Sequence, residues 1–492
     1  MSNRVTSRFA ILGLLTLKPM SGYDLKRFVD EAVRALRCGI FDHSSSDSVV
    51  PGGSRDDAGS AAWHSARGVR MRYCHLAVVG FMLIWSSGFV GATDYAESFD
   101  IVWETINERF FDSDFKGVDW SESRKHYRPK VARAEDDETF YTLINQMLFE
   151  LGVSHLGVVP TDDPKQLGEA AIFGEGTIGI DIRLVDGRLF ITRVEDGSPA
   201  AEKGLAVGYE VLRLNGRTLE EIATQPLESP TPPFTERNKR YMILGAVYWE
   251  LLGPAGEQVS VEFRNRDGRI AQLRLCRQSR GAQRVFDEGM PPTYVTITSK
   301  RIDDDIGYIR FNSFHPALLE SLMNSIDDLT DTKGMIIDLR GNPGGAFGVR
   351  HQLARRFVTE RTVIWRYRGR EGVDDIYLDP AERPYKGRLV ILVDGASASS
   401  SEEFSGGLQC MGRATIVGER TPGRDVVADI MVLPVGAYFI FPVAETQTSE
   451  GIVLEHRGVI PDVESLFTTE GIGTGRDVQL DAAVEVLRGT AK

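Results

Sequence analysis

A run of serines, SASSSEEF, stands where an apolar segment, RLVILVDG, gives way to a predicted helix that starts near Glu402. A hydroxyl group at such a turn would be exposed, and the free amide groups of the first helical turn would stabilise an oxyanion. These features are compatible with nucleophilic attack by a serine on a carbonyl group. Taken alone, however, a serine run before a helix is more typical of an N-cap and a flexible turn.

Four motifs occur in order in the last 200 residues, and together they are more informative than the serine run. They are GMIIDLRGNPGG, SASSSEEF, GRATIVGE and EHRGVIPD. In order and spacing they resemble the tail-specific (C-terminal-processing) serine peptidases and the related tricorn core protease. With the regions that precede them, the resemblance covers residues 95–490. It implies a serine peptidase that works through an acyl-enzyme.

The resemblance selects one serine of the run as the nucleophile. In the family this serine lies three residues before the acidic residue that opens the helix, which is Glu402 here, so the nucleophile maps to Ser399. The resemblance also implies an oxyanion hole with one donor from the backbone of Ser400. The other is expected from the Gly344-Gly345 turn, since glycine lets the backbone approach a scissile carbonyl closely.

The general base departs from the commoner, Ser-Lys branch of the family. That branch carries a lysine 25 residues after the nucleophile, where this chain has Arg424. Arginine cannot release its proton near neutral pH. The tricorn-like branch uses a Ser-His pair and a glutamate in an E-x-x-G-V-x-P-D segment, which match Ser154-His155 and Glu455. The resemblance therefore implies that His155 accepts the nucleophile's proton, while Glu455 orients the imidazole through the Ser154 hydroxyl.

Residues 170–282 have the alternation and Gly-rich turns of a β-rich region. GTIGIDIRL, SPAAEKGL and GYEVLRLNG follow one another as in PDZ domains. The resemblance implies that Ile178, Gly179 and Ile180 form a carboxylate-binding loop and the edge strand beside it. A substrate C-terminus would then bind by strand addition. From the pattern alone, a β-rich domain without a ligand remains the alternative.

The remaining pattern predicts the elements that position these groups. Apolar residues at helical spacing indicate a helical domain, 93–165, with Ser154 and His155 just after its last helix. Residues 283–492 alternate apolar strands with helices, which predicts a layered α/β peptidase domain. The resemblance implies a crotonase- or Clp-protease-like form of it. We therefore expect a multidomain α/β protein with an N-terminal helical domain, a PDZ-like β-rich module and an α/β catalytic domain.

The N-terminal 92 residues differ from the rest. Within residues 8–36, ILGLLTLKPMSGYDLKRF resembles the start of a PadR-type regulator, and residues 1–70 are interpreted as such a fragment followed by a disordered linker. The segment 71–92 contains an apolar run with small residues at its end, and the basic residues Arg67, Arg70 and Arg72 precede this run. This pattern is typical of a secretory signal peptide and predicts a periplasmic or secreted protein. An uncleaved membrane anchor is the alternative.

The composition limits the partners. Lys and Arg number 57 against 70 Asp and Glu, a net charge of −13, which argues against nucleic acid as the main partner. The four cysteines show no metal-ligand spacing, and we expect neither a metal nor a cofactor. Peptides or unfolded proteins are the expected substrates, and a homo-oligomer is compatible with the sequence. The alternative function is that of an inactive relative that binds peptides or apolar ligands.

Overall fold

The structure is a computed structural model that describes residues 92–160, 174–228, 235–279, 281–285 and 293–489. All of these belong to one compact unit, Phe89–Lys492. The predicted regulator fragment and linker, 1–70, and nearly all of the signal-like segment, 71–92, lie outside the described residues. Among the described helices, none has the length and apolar character needed to cross a bilayer.

Three helices begin the described chain. They are α1 (Ala92–Arg109), α2 (Trp120–Val131) and α3 (Asp137–Phe149), and a short strand follows, β1 (Gly157–Pro160). The apolar spacing predicts their buried face, and Phe99, Val102 and Ile106 are indeed enclosed. This face shares a core with Phe439 and Phe441, far along the chain. The helices are therefore packed onto the C-terminal region and do not form a core by themselves.

Residues 174–279 form a β-rich module. Its strands are β2 (Gly176–Thr177), β3 (Ile180–Val185), β4 (Arg188–Val194), β5 (Glu210–Leu214), β6 (Gln258–Arg264), β7 (Ile270–Cys276) and β8 (Gln278–Ser279). Its helices are α4 (Pro199–Glu202), α5 (Leu219–Glu228) and α6 (Glu236–Leu251). Five strands form an antiparallel sheet in the order β3-β4-β5-β6-β7, which leaves β3 at an edge. Alternate residues of β6 (Val259, Val261 and Phe263) fill the core, as a period of two predicts.

The C-terminal region is built on a six-stranded sheet. A two-stranded pair, β9 (Gln283–Val285) and β10 (Thr293–Val295), precedes it. The sheet's first strands are β11 (Ile297–Ile302), β12 (Ile306–Phe311) and β13 (Gly334–Asp338). A second, antiparallel sheet contains the next two strands, β14 (Thr362–Gly369) and β15 (Gly372–Leu378). The six-stranded sheet continues with β16 (Arg388–Val393) and β17 (Thr415–Gly418).

The second sheet also takes up β18 (Val426–Val432), β19 (Ala437–Thr448) and the distant β1, whereas β20 (Val463–Glu464) completes the first. The helices of this region are α7 (Leu319–Asp328), α8 (Phe347–Arg355), α9 (Ser400–Cys410), α10 (Thr469–Gly473) and α11 (Val478–Arg488). All strand pairs of the first sheet are parallel except β11 with β12. The result is a mixed α/β fold with a helical N-terminal region.

The central strands are covered on both faces, which explains their unbroken apolar sequences. On β13, Met335 and Ile337 lie in the core that includes α7, α8 and α9, whereas Ile336 packs on the α11 side. Parallel pairing of β13 with β16 brings the carboxyl ends of both strands to the same edge of the sheet. The loops that follow them, 339–346 and 394–399, meet at this edge, where active sites of α/β folds commonly lie.

Candidate active site

Ser399 differs from the other serines of its turn in its exposure. The hydroxyls of Ser397, Ser400 and Ser401 are buried and donate to backbone carbonyls of the 339–345 loop, at 2.8, 2.7 and 2.9 Å. Ser399 is partly exposed, and its hydroxyl, which faces the backbone N–H of Glu402 in a capping box, donates no hydrogen bond to the described residues. The three neighbours therefore fasten the turn to the adjacent loop, and the side chain left accessible for chemistry is that of Ser399.

The backbone at Ser399 is strained. Its φ of 54° and ψ of −123° lie in a region that costs a non-glycine residue about 1–3 kcal/mol. Glu402, fully buried in the first turn of α9, holds the turn and the facing loop together. Its carboxylate accepts N–H groups from Ser399, Gly423 and Arg424 at 3.2, 2.7 and 2.8 Å, and the Thr421 hydroxyl. The strained conformation thus depends on these contacts.

The glycine turn lies directly against the nucleophile candidate. A Cβ on Gly344, whose φ is 109°, would lie 2.7 Å from the Cβ of Ser399, and one on Gly345 would lie 2.7 Å from the carbonyl oxygen of Phe314. The Gly344 N–H donates to Asn342 Oδ1 at 2.9 Å. The Gly345 N–H, by contrast, has no acceptor among the described residues. Ser400 opens α9, so its N–H has no partner within the helix.

Ser154, His155 and Glu455 are joined in one hydrogen-bonded chain. The Ser154 hydroxyl lies 2.9 Å from His155 Nδ1 and 2.9 Å from Glu455 Oε2. Glu455 also accepts the backbone N–H of Ser154 at 2.6 Å. The pairing of β1 with β19 brings this segment to the site, because β1 begins two residues after His155. His155 itself has a positive φ of 51°, a second strained residue at the site.

The direction of donation in these hydrogen bonds follows from the carboxylate at their end. A carboxylate can only accept, so the Ser154 hydroxyl donates to Glu455 and must in turn accept from His155 Nδ1–H. The Nε2 atom is then the unprotonated nitrogen of the ring. Burial and the nearby Arg424 guanidinium lower the pKa of His155 to about 3. The imidazole is therefore neutral near pH 7 and has a free lone pair, as a general base requires.

Backbone hydrogen bonds connect Ser399 to the carboxylate of Glu455. The Ser399 N–H donates to the carbonyl of Arg424 at 3.0 Å, and the N–H of the next residue, Asp425, donates to Glu455 Oε2 at 2.7 Å. Within the described part of the chain no hydrogen bond joins the Ser399 hydroxyl directly to His155. Such bonds are often long in unliganded enzymes and shorten when substrate binds.

The β-rich module contacts the loops around the site through ion pairs. Arg183 Nε and Asp394 Oδ2, both buried, are 2.5 Å apart, and Asp394 directly follows β16. Arg240 and Glu419 form a second pair at 3.2 Å. The Arg424 guanidinium lies over the ring of Tyr241 on α6, 5.1 Å from its centroid. These contacts hold the module beside the 394–399 turn.

The residues predicted to capture a C-terminus lie at the start of β3. Gly179 has a φ of 79°, and its N–H donates to Thr177 Oγ1 at 3.0 Å, while Ile178 and Ile180 are buried. In the described module no strand pairs with the outer edge of β3. Side chains cap part of this edge, since the Ile182 N–H lies 3.4 Å from the Tyr248 hydroxyl.

Sequence reasoning missed two buried groups near the site, Asp394 and Asp425. Each is an aspartate at an end of an apolar strand, directly after β16 or directly before β18. A charged residue at such a position is a signal for a buried polar contact. The partner of Asp394, Arg183, could not be identified in this way, because it comes from another module.

Comparison with known families identifies the C-terminal region. A model described as "Peptidase family S41" matches residues 305–465. The chain contains a peptidase family S41 domain. A second model, "Tricorn protease C1 domain", matches residues 92–149, which are the three N-terminal helices. The family S41 match includes Ser399 and Glu455, whereas Ser154 and His155 lie between the two matches.

Several proteins similar to this chain carry names of proteases. A carboxyl-terminal-processing protease of Synechocystis sp. is 26% identical over 398 residues, which cover 79% of this chain and 85% of that protein. The carboxy-terminal processing protease CtpA of Bacillus subtilis is 23% identical, covering 68% of this chain and 65% of its own. A putative tricorn protease homolog 2 of Streptomyces coelicolor is 24% identical and covers 80% of this chain but 32% of its own.

Solved structures agree on the fold. The photosystem II D1 C-terminal processing protease superposes with a TM-score of 0.51 at 22% identity, covering 78% of this chain and 98% of that one. Mature CPAF superposes with a TM-score of 0.55 at 13% identity, covering 82% and 99%. At these identities the likeness supports the fold alone.

Proposed function

We propose that this protein is a serine endopeptidase that cleaves peptides or unfolded proteins, with Ser399 as nucleophile and His155 as general base. Ser154 and Glu455 are proposed to orient the base, so the mechanism is Ser-His-Glu with an assisting serine and not Ser-Lys. The protease names of the relatives support the reaction class. The residue assignment rests on the geometry of this chain.

The observation that carries the proposal is that one accessible serine occurs together with a histidine whose hydrogen bonds leave Nε2 unprotonated. Three of the four serines in the turn have buried, hydrogen-bonded hydroxyls, which leaves Ser399. The relay from His155 through Ser154 to Glu455 leaves Nε2 as the proton acceptor. A protein that only binds peptides needs neither feature, which disfavours the alternative of an inactive relative.

In the first half of the reaction, Ser399 Oγ attacks the carbonyl carbon of the scissile peptide bond and its proton passes to His155 Nε2. The carbonyl oxygen becomes an oxyanion, for which the N–H groups of Gly345 and Ser400 are the proposed donors. Gly344 would contribute its N–H only by releasing Asn342 Oδ1. Glu455, acting through Ser154, stabilises the imidazolium.

In the second half, the tetrahedral intermediate collapses, the C–N bond breaks and His155 gives its proton to the leaving amine. An ester of Ser399 remains. Water then attacks this ester, His155 takes a proton from it, and the returning proton regenerates the Ser399 hydroxyl as the carboxylic acid leaves. No atom outside the chain, the substrate and water is needed to balance these steps.

The β-rich module, proposed to be PDZ-like, would recruit the substrate. The outer edge of β3, with which no strand of the described module pairs, supports strand addition, with Ile178, Gly179 and Ile180 beside the bound C-terminus. The same proposal includes the domain boundaries 93–165, 170–282 and 283–492. It also includes a crotonase- or Clp-protease-like catalytic fold and a periplasmic or secreted location. The regulator-like fragment remains a prediction from sequence.

Hydrolysis of casein tests the proposal, with full-length protein and the variants Ser399→Ala, His155→Ala and Arg424→Lys. Loss of activity in the first two and its retention in the third are expected. Ser121→Ala, at an exposed serine of α2, is the matched control. Labelling by a serine-reactive phosphonate, mapped by mass spectrometry, should fall on Ser399. Absence of both hydrolysis and labelling would favour the binding-protein alternative.

A further inference from the structure

One peptide unit lies between the proposed nucleophile and the proposed catalytic carboxylate. The carbonyl of Arg424 accepts the Ser399 N–H, and the N–H of the same planar unit, from Asp425, donates to Glu455 Oε2. A rotation of this unit would therefore disturb both contacts together. The side chain that follows it, Asp425, is well placed to determine its orientation.

The carboxyl group of Asp425 is fully enclosed. The residue has no exposed surface, and neither of its oxygens has a hydrogen-bond partner among the described residues. Few buried polar groups in proteins remain unpaired, and an ionised carboxylate without donors is far more costly than a neutral acid. The environment of Asp425 thus opposes its negative charge.

The charged neighbours of Asp425 lead to the same conclusion. Three other carboxyl groups face it, those of Glu402 and Glu403 on α9 and of Glu455. The nearby cation, Arg350 on α8, is already paired with Glu403 and donates to the Tyr367 hydroxyl. Burial, together with the neighbouring carboxylates, raises the pKa of Asp425 well above its ordinary value despite Arg350.

Thr446 and Arg350 also have buried polar atoms without a partner among the described residues. Asp425 directly precedes Val426, which pairs with Glu445 in the β18–β19 register, and Thr446 directly follows Glu445. The buried hydroxyl of Thr446 has no hydrogen-bond partner in the described structure, and neither does the Nε atom of Arg350. A neutral carboxylic acid can donate to a hydroxyl oxygen or accept from a hydroxyl proton, whereas a carboxylate can only accept.

We propose that Asp425 is a positioning residue that acts as an uncharged carboxylic acid and holds the Arg424–Asp425 peptide unit between Ser399 and Glu455. Its contribution to catalysis rests on the proposed function, whereas its protonation and its hold on the backbone do not. Asparagine has the same shape and remains neutral at every pH, so Asp425→Asn should preserve the positioning role. Leucine has a similar volume but no polar atoms in its side chain, so Asp425→Leu should abolish this role.

The proposal has a defined pH dependence. The unfolded chain releases the Asp425 proton above about pH 4, whereas the folded protein retains it to higher pH. The unfolded state therefore binds fewer protons in this interval, and the stability of the folded protein decreases as the pH rises through it. Asp425→Asn removes this proton uptake, so its melting temperature should exceed that of the wild type by an amount that grows with pH.

The kinetic test compares Asp425→Asn, Asp425→Leu and a matched control, Asp429→Asn, on the half-exposed aspartate of the same strand. We expect Asp425→Asn to keep kcat within about threefold near neutral pH and to extend the activity towards alkaline pH, with Asp429→Asn unchanged. Asp425→Leu should lower kcat by about 100-fold with little change in KM, the cost of a misplaced reacting group. A folded Asp425→Asn as inactive as Asp425→Leu, or a fully active Asp425→Leu, would overturn the proposal.

Two measurements decide the proposal without peptidase activity. Burial also raises the pKa of Glu402, to about 7, so the infrared measurement compares the two proteins. The difference spectrum of the wild type minus Asp425→Asn near neutral pH should contain the band of one protonated carboxyl group, and its absence would refute the uncharged state. In a Ser399→Ala background, amide hydrogen exchange in the segments around 399 and 425 should accelerate in Asp425→Leu but not in Asp425→Asn. Equal exchange in all three proteins would refute the positioning role, whether or not the proposed function holds.

Discussion

Glu455 accepts two hydrogen bonds from Ser154, one from its backbone N–H at 2.6 Å and one from its hydroxyl at 2.9 Å. The two residues are 301 positions apart in the chain. The double contact fixes both the main chain and the side chain of Ser154. The neighbouring imidazole is thereby held in one tautomer, with Nε2 as its basic nitrogen.

Removal of the Ser154 hydroxyl should impair catalysis without unfolding the protein. Ser154→Ala keeps the backbone bond to Glu455 but breaks the relay, so we expect kcat to fall by about 100-fold as the imidazole loses its orientation. Steady-state hydrolysis measures this effect. Ser123 provides the matched control, because its hydroxyl donates to Glu150 at 2.6 Å away from the site. Equal losses in Ser154→Ala and Ser123→Ala would argue against the relay.

The pH profile should reveal the influence of Arg424 on the base. Burial and this guanidinium hold the pKa of His155 at about 3, below its ordinary 6.5, so the neutral, active form persists into the acid range. Arg424→Gln should raise this pKa and move the acid limb of kcat/KM towards neutral pH. Arg420→Gln, on the same loop, should leave the limb in place. An acid limb that does not move in Arg424→Gln would contradict the electrostatic role.

The lowered pKa of His155 also affects the stability of the folded protein. Between pH 3 and 6.5 the unfolded chain binds a proton at His155 that the folded protein excludes. The contribution of His155 to stability is therefore lost as the pH falls through this window. Thermal unfolding of His155→Gln should show a shallower decline in melting temperature at acid pH than the wild type does. Parallel declines in the two proteins would count against an imidazole that stays neutral in the folded protein.

A side chain at Gly344 should disrupt the site. In Gly344→Ala the Cβ would lie 2.7 Å from the Ser399 Cβ and 2.9 Å from the Ala398 carbonyl oxygen, at a φ of 109°. We expect a loss of about 1–3 kcal/mol in unfolding free energy and of most activity. Chemical denaturation and hydrolysis assays test both effects. Gly348→Ala is the control, since its Cβ would meet nothing within 4 Å; similar effects at both positions would exclude a specific role of the turn.

The ion pair between Arg183 and Asp394 should be important for stability. Arg183→Met leaves a buried carboxylate without its cation, a change that costs about 3–5 kcal/mol. Arg213→Met, which breaks an exposed pair with Glu221 in the same module, should cost about 1 kcal/mol or less. Urea unfolding measures both. Comparable losses in the two variants would show that solvent reaches the Arg183–Asp394 pair.

The local structures follow from the amino-acid sequence alone. The apolar run before Asp394 and the small residues after it require a strand, a tight turn and a helix, and the helical spacing around Phe99 predicts a buried face. The position of Arg424 excludes a lysine base at that point. These inferences depend only on residues that are close to one another in the sequence.

Which distant groups meet depends on the packing of the folded chain. The packing of β1 on β19 brings Ser154 to Glu455, and the parallel pairing of β13 with β16 sets Gly344 against Ser399. The exposure of Ser399 and the enclosure of Asp425 follow from the same packing. No local pattern encodes these contacts, because each depends on the register of strands that lie far apart in the sequence.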